Sequence, residues 1–182
     1  MRNAASFRLA TASDWGAILQ LQSANYIANL SDRKDGFLSA EFTAGQIAEM
    51  AGDLGITVAV YSAEIAGYLC AFRKEFNHGS PVLAKMLQAY DGTYFNGRPL
   101  SSYTSYIYGP VCVGRDYRGR GLLRGLYEAQ KKELAGRFEV GVAFVARHNP
   151  HSLQAHVAGL GMSEVGEFAA NDASYVILAF DL

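Results

Sequence analysis

Cysteine is scarce in this chain of 182 residues; there are two, Cys70 and Cys112. Both sit in strand-like apolar runs, where thiols act as small apolar residues, and the reading they support is a reduced, cytoplasmic protein. Long hydrophobic runs are missing as well. No apolar stretch approaches the roughly 20 residues a spanning helix needs, and the amino terminus, "MRNAASFRLATASDW", holds no apolar segment of signal-peptide length. A membrane partner is therefore not expected. Charge of either sign is nearly balanced, with a formal net charge of -1. The molecule as a whole has no field that would collect nucleic acid, so any anion site must be built locally. Internal repeats and low-complexity segments are absent too.

Half of the residues are apolar and 18% are charged, the balance of a globular protein. The length suits one domain, 1–182, with a sizeable core. "SFRLAT" reads as a first strand. "ASDWGAILQLQSANYIANL" reads as a helix capped by Ser13 or Asp14, with Ile18, Leu19 and Leu21 at helical spacing. "TAGQIAEMAGDLG" is a second helix, capped by Thr43 and ended near Gly55. "ITVAVYSAEIAGYLCAF" is a hairpin turning at Ser62, Ala63 and Glu64. Residues 77–103 then form an insert with one short helix, Pro81 to Tyr90, and a turn-rich remainder. It is long for a connection, and long loops in compact domains are often functional. "SYIYGPVCVG" is a strand, a helix comes next, and "EVGVAFVA" is a buried strand. "NPHSLQAHVAGLGM" is a short helix started by Asn149 with Pro150 in its first turn. "SEVGEFAANDASYVILAFDL" closes the chain as a hairpin. The order predicts a mixed α/β fold, its sheet mostly antiparallel, with one β-α-β crossover over residues 105–145.

The crossover contains "VGRDYRGRGLLRGLYEAQKKEL", Val113 to Leu134, with four arginines and four glycines. A helix amino terminus has free N–H groups and a partial positive charge. Gly119 and Gly121 remove side chains that would keep a ligand from those groups. Arg115, Arg118, Arg120 and Arg124 surround the same opening with fixed charge. The fitting guest is a phosphate or pyrophosphate. Leu123, Leu126, Tyr127, Gln130 and Leu134 mark one helix face; Arg124, Glu128, Lys131 and Lys132 mark the other. A Walker loop is excluded, because no Gly-Lys-Ser/Thr ending is present. Gly119, Gly121 and Gly125 come nearer to a dinucleotide fingerprint. That fold repeats β-α-β units, however, and the chain beyond Leu134 is too short for a second half.

"VGRDYRGRGLL" resembles the central signature of the GNAT superfamily of N-acetyltransferases, Arg/Gln-x-x-Gly-x-Gly/Ala after a strand, with Arg118 and Gly121 in place. Leu123 stands where the family usually has Gly or Ala. The element order and "NPHSL" agree with the family's plan, so the resemblance spans nearly the whole chain. It implies a GNAT-like acyl-CoA N-acyltransferase fold and acetyl-CoA, or another acyl-CoA, as co-substrate. The pyrophosphate would lie on the N–H groups of Arg118, Gly119, Arg120, Gly121, Leu122 and Leu123. The pantetheine arm would run along Val111 to Val113, on a strand that the family splays from its neighbour, with a backbone N–H there facing the thioester oxygen. Asn149 would contact the cofactor.

The implied reaction is direct attack of an amine on the thioester, acetylating a small-molecule or peptide amine. The acceptor arrives protonated and must lose that proton, and the leaving thiolate must gain one. The family's acid is often a tyrosine in the helix that begins at Asn149; counting from Asn149, the position here is His156. That helix is one residue longer than usual, and Met162 replaces a frequent aromatic. Glu41 and Glu75 are candidates for a base by position only. His148, His151 and His156 are spaced so that they do not share one helix face, which argues against a metal site. Tyr106 and Tyr108 share a strand face, which suits a core or pocket wall better than a nucleic-acid platform. The loop at 31–42 and the insert would grip the acceptor. A non-catalytic acyl-CoA-binding module and a nucleic-acid-directed acetyltransferase remain the alternatives, and a homodimer stays open.

Overall fold

In the computed structural model, residues 5–34, 36–76 and 79–182 are described. Asp35 in the expected acceptor loop, and residues 77 and 78 at the start of the expected insert, lie outside the described residues. The chain divides into two compact units. The first holds the chain up to Arg33, Phe37–Phe72 and Gly109–Glu133; the second holds Lys34–Gly36, Arg73–Tyr108 and Leu134–Leu182.

The first unit is built on β1 (Ser6–Leu9), β2 (Ile56–Tyr61), β3 (Glu64–Arg73) and the second half of β6 (Ser105–Val113). β1 and β3 both run antiparallel to β2. β6 lies against β3, with Gly114 N–H donating to Ala66 O at 2.8 Å. Two helices, α1 (Trp15–Asn25) and α2 (Ala44–Asp53), pack against each other, and α4 (Leu122–Leu134) seats on the strands. Its seat is close. A Cβ on Gly125 would fall 2.0 Å from the ring of Phe7 in β1, and one on Gly67 would meet Leu126 at 3.4 Å. Buried Gln130, one turn further along α4, donates to Cys70 O at 3.2 Å and Leu69 O at 3.4 Å.

The second unit holds the first half of β6, β7 (Val140–Ala146), β9 (Ala173–Asp181) and β8 (Ser163–Ala170). The β6–β7 ladder is parallel and covers only Ser105–Ile107 against Val140–Val142; β7–β9 and β9–β8 are antiparallel. This parallel pair is the crossover that the sequence implies. Helix α3 (Pro81–Gln88) packs on β8 and α5 (Pro150–Gln154) on β7. The turn-rich part of the insert contains a small hairpin, β4 (Tyr94–Phe95) and β5 (Arg98–Pro99), that sequence periodicity does not reveal. Side chains fasten it. Arg98 pairs with Glu139 at 3.2 Å and stacks 4.1 Å over the Tyr103 ring, and Tyr103 Oη donates to Phe95 O at 2.7 Å. The piece is therefore tied down rather than loose.

Three two-residue hairpin loops place both central residues in the left-handed region, as a right-twisted hairpin prefers. They are Ser62–Ala63, Asn96–Gly97 and Asn171–Asp172. Among the described residues no helix is long and apolar enough to cross a membrane. The caps follow chemistry. Thr43 Oγ1 accepts from Gln46 N–H while Gln46 Oε1 accepts from Thr43 N–H, and Ser80 accepts from Leu83 N–H. At α1 the expected cap is in place by position. Asp14 is the cap residue but makes no side-chain bond to that helix. Its carboxylate instead accepts from Thr11 N–H at 2.8 Å and from Arg8 at 2.6 and 2.9 Å, closing a capping box one short turn earlier.

The Arg8 guanidinium, with help from Thr11 and against the effect of burial, holds the Asp14 carboxyl well below the usual carboxylate range. A carboxyl lowered on folding stabilises the native state above its unfolded pKa of about 3.9, and that stability is lost as pH falls through the folded value. Asp14→Asn should cost about 2 kcal/mol at pH 7. The gap from the parent should narrow below about pH 4; urea unfolding at pH 7 and pH 3 measures both.

Candidate functional site

Val111, Val113 and the run Arg118 to Leu123 all fall in the first unit, whereas Asn149 and His156 fall in the second.

After β6 the chain makes a short 3-10 turn, Arg115–Tyr117, and then the glycine loop that opens α4. Gly119 (φ +72) and Gly121 (φ +78) are in the left-handed region that glycine tolerates and other residues resist. A Cβ at either would meet nothing within 4 Å. Gly119, Arg120 and Gly121 are exposed, so the turn that opens α4 lies at the surface. Arg118 N–H is partly spent on Arg115 O at 3.3 Å. Among the described residues the N–H groups of Gly119, Arg120 and Gly121 have no internal acceptor, and those of Leu122 and Leu123 belong to a first helical turn, which lacks acceptors by geometry.

The arginines differ in what they do. Arg120 is exposed, with its guanidinium 5.2 Å over the ring of Tyr61 and one N–H on Tyr61 Oη at 3.0 Å. Tyr61 meets Tyr117 edge to face, and Tyr117 Oη donates to Glu64 at 2.6 Å, so the tip of the β2–β3 hairpin steadies the loop. Arg118 turns inward instead. Its Nε donates to Val113 O at 3.2 Å and its Nη2 to Asn25 Oδ1 at 2.8 Å. The sequence marks both residues as cationic but does not distinguish the anchor from the exposed charge. Leu123, the departure from the family pattern, is half-buried, and the close helix–sheet contact is made by Gly125.

Val111 and Val113 alternate with buried Cys112 along β6 and are themselves only half-buried. Among the described residues no ladder pair with β7 is made beyond Ile107. Burial pushes the Cys112 thiol up to about 12, partly countered by Arg118, and burial raises Cys70 as well. Neither is a nucleophile at neutral pH.

In the second unit Asn149 is buried and caps α5 by position, yet its side chain makes no cap bond. It lies beside the loop residue Gly36, where a Cβ would sit 3.5 Å from Asn149 Oδ1 and 3.3 Å from His151 Nδ1. Gly36 (φ +83) needs both its conformational freedom and its small size, a signal the sequence carried unread. Past α5 the helix widens into a π turn, Ala155–Gly159, which absorbs an extra residue and explains the additional length expected from the sequence. His156 stands in that turn, buried, with its ring edge-on to Tyr108 at 5.6 Å. Its Nδ1 lies 2.7 Å from Ser152 O. A carbonyl only accepts, so Nδ1 carries the proton and Nε2 keeps its lone pair. Burial lowers the pKa of His156, and the bond to Ser152 offsets this only in part. The imidazole is neutral at pH 7, a proton acceptor before it is a donor. Among the described residues no three His, Cys, Asp or Glu side chains gather as a metal site.

A histidine lowered on folding makes the native state lose stability as pH falls below about 6.5, because the unfolded chain then binds the extra proton. Nitrogen NMR of the folded protein should show His156 as the Nδ1–H tautomer, with a midpoint below that value. A midpoint above it would contradict the burial argument.

Solved structures share this architecture over nearly the whole chain. An acetyltransferase of the GNAT family from Streptococcus agalactiae superposes with a TM-score of 0.67 at 16% identity, covering 98% of this chain and 95% of the other. The Salmonella typhimurium protein yncA, with its cofactor acetyl-CoA, gives 0.64 at 17% identity over 99% and 95%. A chain of the NatC complex, bound to Gag peptide and CoA, gives 0.65 at 13% identity over 98% of each. The sequence matches no family model and no curated protein. The chain has the fold of the GNAT acetyltransferases.

Proposed function

We propose that the chain works as one acetyltransferase domain, moving an acetyl group from acetyl-CoA to a primary amine of a small molecule or a peptide. The observation that carries this is the exposed mouth of α4, where two left-handed glycines leave N–H groups without internal acceptors. Those donors, the helix dipole and the exposed Arg120 fit a diphosphate. The fold's solved members with acetyl-CoA and CoA support the choice of ligand, and the peptide in one of them supports peptide amines as a class of acceptor.

When bound, acetyl-CoA supplies an activated acyl group as a thioester. The protein's part is to hold and to move protons. Gly119 to Leu123 hold the diphosphate. Val111 and Val113 offer backbone groups that no pairing with β7 consumes. Asn149 would contact the cofactor, the role expected from its position at the start of α5. Nε2 of neutral His156 would take one proton from the acceptor ammonium and, as imidazolium, would return it to the leaving sulfur, while the second proton that the nitrogen sheds on becoming an amide would pass to water. This order of steps gives His156 the acid role expected from its position and adds the base role that its tautomer allows.

Calorimetric titration with acetyl-CoA, followed by thiol release across a panel of amines and amino-terminal peptides, tests the reading. Binding in the micromolar range with turnover on at least one amine is expected. Arg120→Ala should weaken binding about tenfold, the loss of one charge-assisted bond, and leave the melting temperature unchanged. No heat up to about 1 mM, a binding free energy near 4 kcal/mol, would end the proposal. Binding without turnover would point to an acyl-CoA-binding module.

A further inference from the structure

Helix α1 carries two buried amides on its inner side, Gln22 and Asn25. A buried amide is costly unless its hydrogen bonds are made, and the bonds these two make run in one direction. Gln22 clasps the backbone of Phe42, donating from Nε2 to Phe42 O at 2.8 Å and accepting from Phe42 N–H at 2.9 Å. Asn25 donates from Nδ2 to Leu21 O at 2.8 Å and accepts Arg118 Nη2 on Oδ1 at 2.8 Å. Its backbone carbonyl accepts Leu38 N–H at 2.9 Å, and Leu38 O in turn accepts Ile27 N–H at 2.9 Å. One residue at the end of α1 therefore grips two segments: the arginine that begins the glycine loop, and the returning chain at residues 37–42.

We infer that Asn25 is a positioning residue that couples the glycine loop of residues 118–121 to the segment 37–42, so that filling the loop with a diphosphate stiffens that segment. The inference rests on reading the loop as a CoA cradle. Ligand on the N–H groups of Gly119 to Gly121 immobilises the residues next to Arg118. Arg118 is already fixed at its side chain by Val113 O and Asn25 Oδ1, so restraint at the loop passes to Asn25 and from its carbonyl to Leu38. Coupling is reciprocal: an acceptor that orders residues 37–42 tightens CoA binding by the same factor.

The test is amide hydrogen exchange of the whole chain with and without CoA, beside calorimetry. In the parent protein CoA should slow exchange at 118–123 and, severalfold, at 37–42. In Asn25→Ala protection at 118–123 should persist, with CoA bound about tenfold more weakly, and protection at 37–42 should vanish. Gln22→Ala releases Phe42 but leaves Arg118 held; its 37–42 segment should exchange faster throughout, yet still slow at Leu38 on adding CoA. CoA binding that leaves 37–42 unchanged in the parent overturns the coupling alone, and that result needs no variant to fold. Equal protection of 37–42 in Asn25→Ala and the parent overturns the role of Asn25. Absence of any CoA binding removes the cradle and the inference with it.

Discussion

Arg118 is the constraint on which the glycine loop depends. A loop containing two left-handed glycines has little reason to hold one shape by itself, because glycine loses more conformational freedom on ordering than any other residue. The Arg118 guanidinium supplies the missing restraint by donating to the last residue of β6 and to the last residue of α1. Hydrogen bonds from a charged donor contribute roughly 1.5–3 kcal/mol each, more than neutral ones. The loop is consequently fixed at its entrance by side-chain chemistry and at its exit by the seat of α4, where the ring of Phe7 occupies the space a Cβ on Gly125 would fill. Between those two fixed points the backbone amides stand in the open, already arranged. Preorganisation of that kind spares a ligand the cost of ordering the loop.

The surrounding charges then divide the labour. Arg120 projects outward, steadied by Tyr61 and, through Tyr117, by Glu64. Tyr61 and Glu64 face each other across the two-residue turn at Ser62–Ala63, the end pair of the β2–β3 ladder. A turn with neither glycine nor asparagine in the left-handed region is costly, and the chain accepts it where the hairpin tip meets the loop. In a molecule of formal charge -1, this local arrangement, rather than a general field, is what an anion would encounter.

Much of this was legible in the sequence, and the parts that were not share a cause. Element order, the Thr43 cap, the hairpins at both ends and the parallel crossover come from periodicity and punctuation, which are local signals. The β4–β5 hairpin escaped because its strands are two residues each, too short for alternation to register, and are held by Arg98, Glu139 and Tyr103 through contacts no local pattern encodes. Asp14 caps α1 by position as expected, but where its side chain bonds was not legible, because its partner Arg8 lies on the preceding strand. The different fates of Arg118 and Arg120 depend on Asn25 and Tyr61, far away in sequence. Residue type named the cations; only the tertiary neighbours assign one to the frame and the other to the surface.

His156 carries the same lesson to the chemistry. Position alone suggested an acid, on the pattern of a tyrosine. The environment gives a different starting state: a buried ring loses its proton, and the carbonyl of Ser152 decides which nitrogen keeps the other one. A tyrosine phenol begins as a donor near neutral pH, since its ordinary pKa is about 10; a neutral imidazole begins as an acceptor. If an amine is the acceptor, the first proton to move is its own, and the group that receives it must be empty. The π turn sets the register that leaves His156 beside Tyr108 with its Nδ1 on the backbone, so Nε2 is the ring nitrogen that keeps its lone pair.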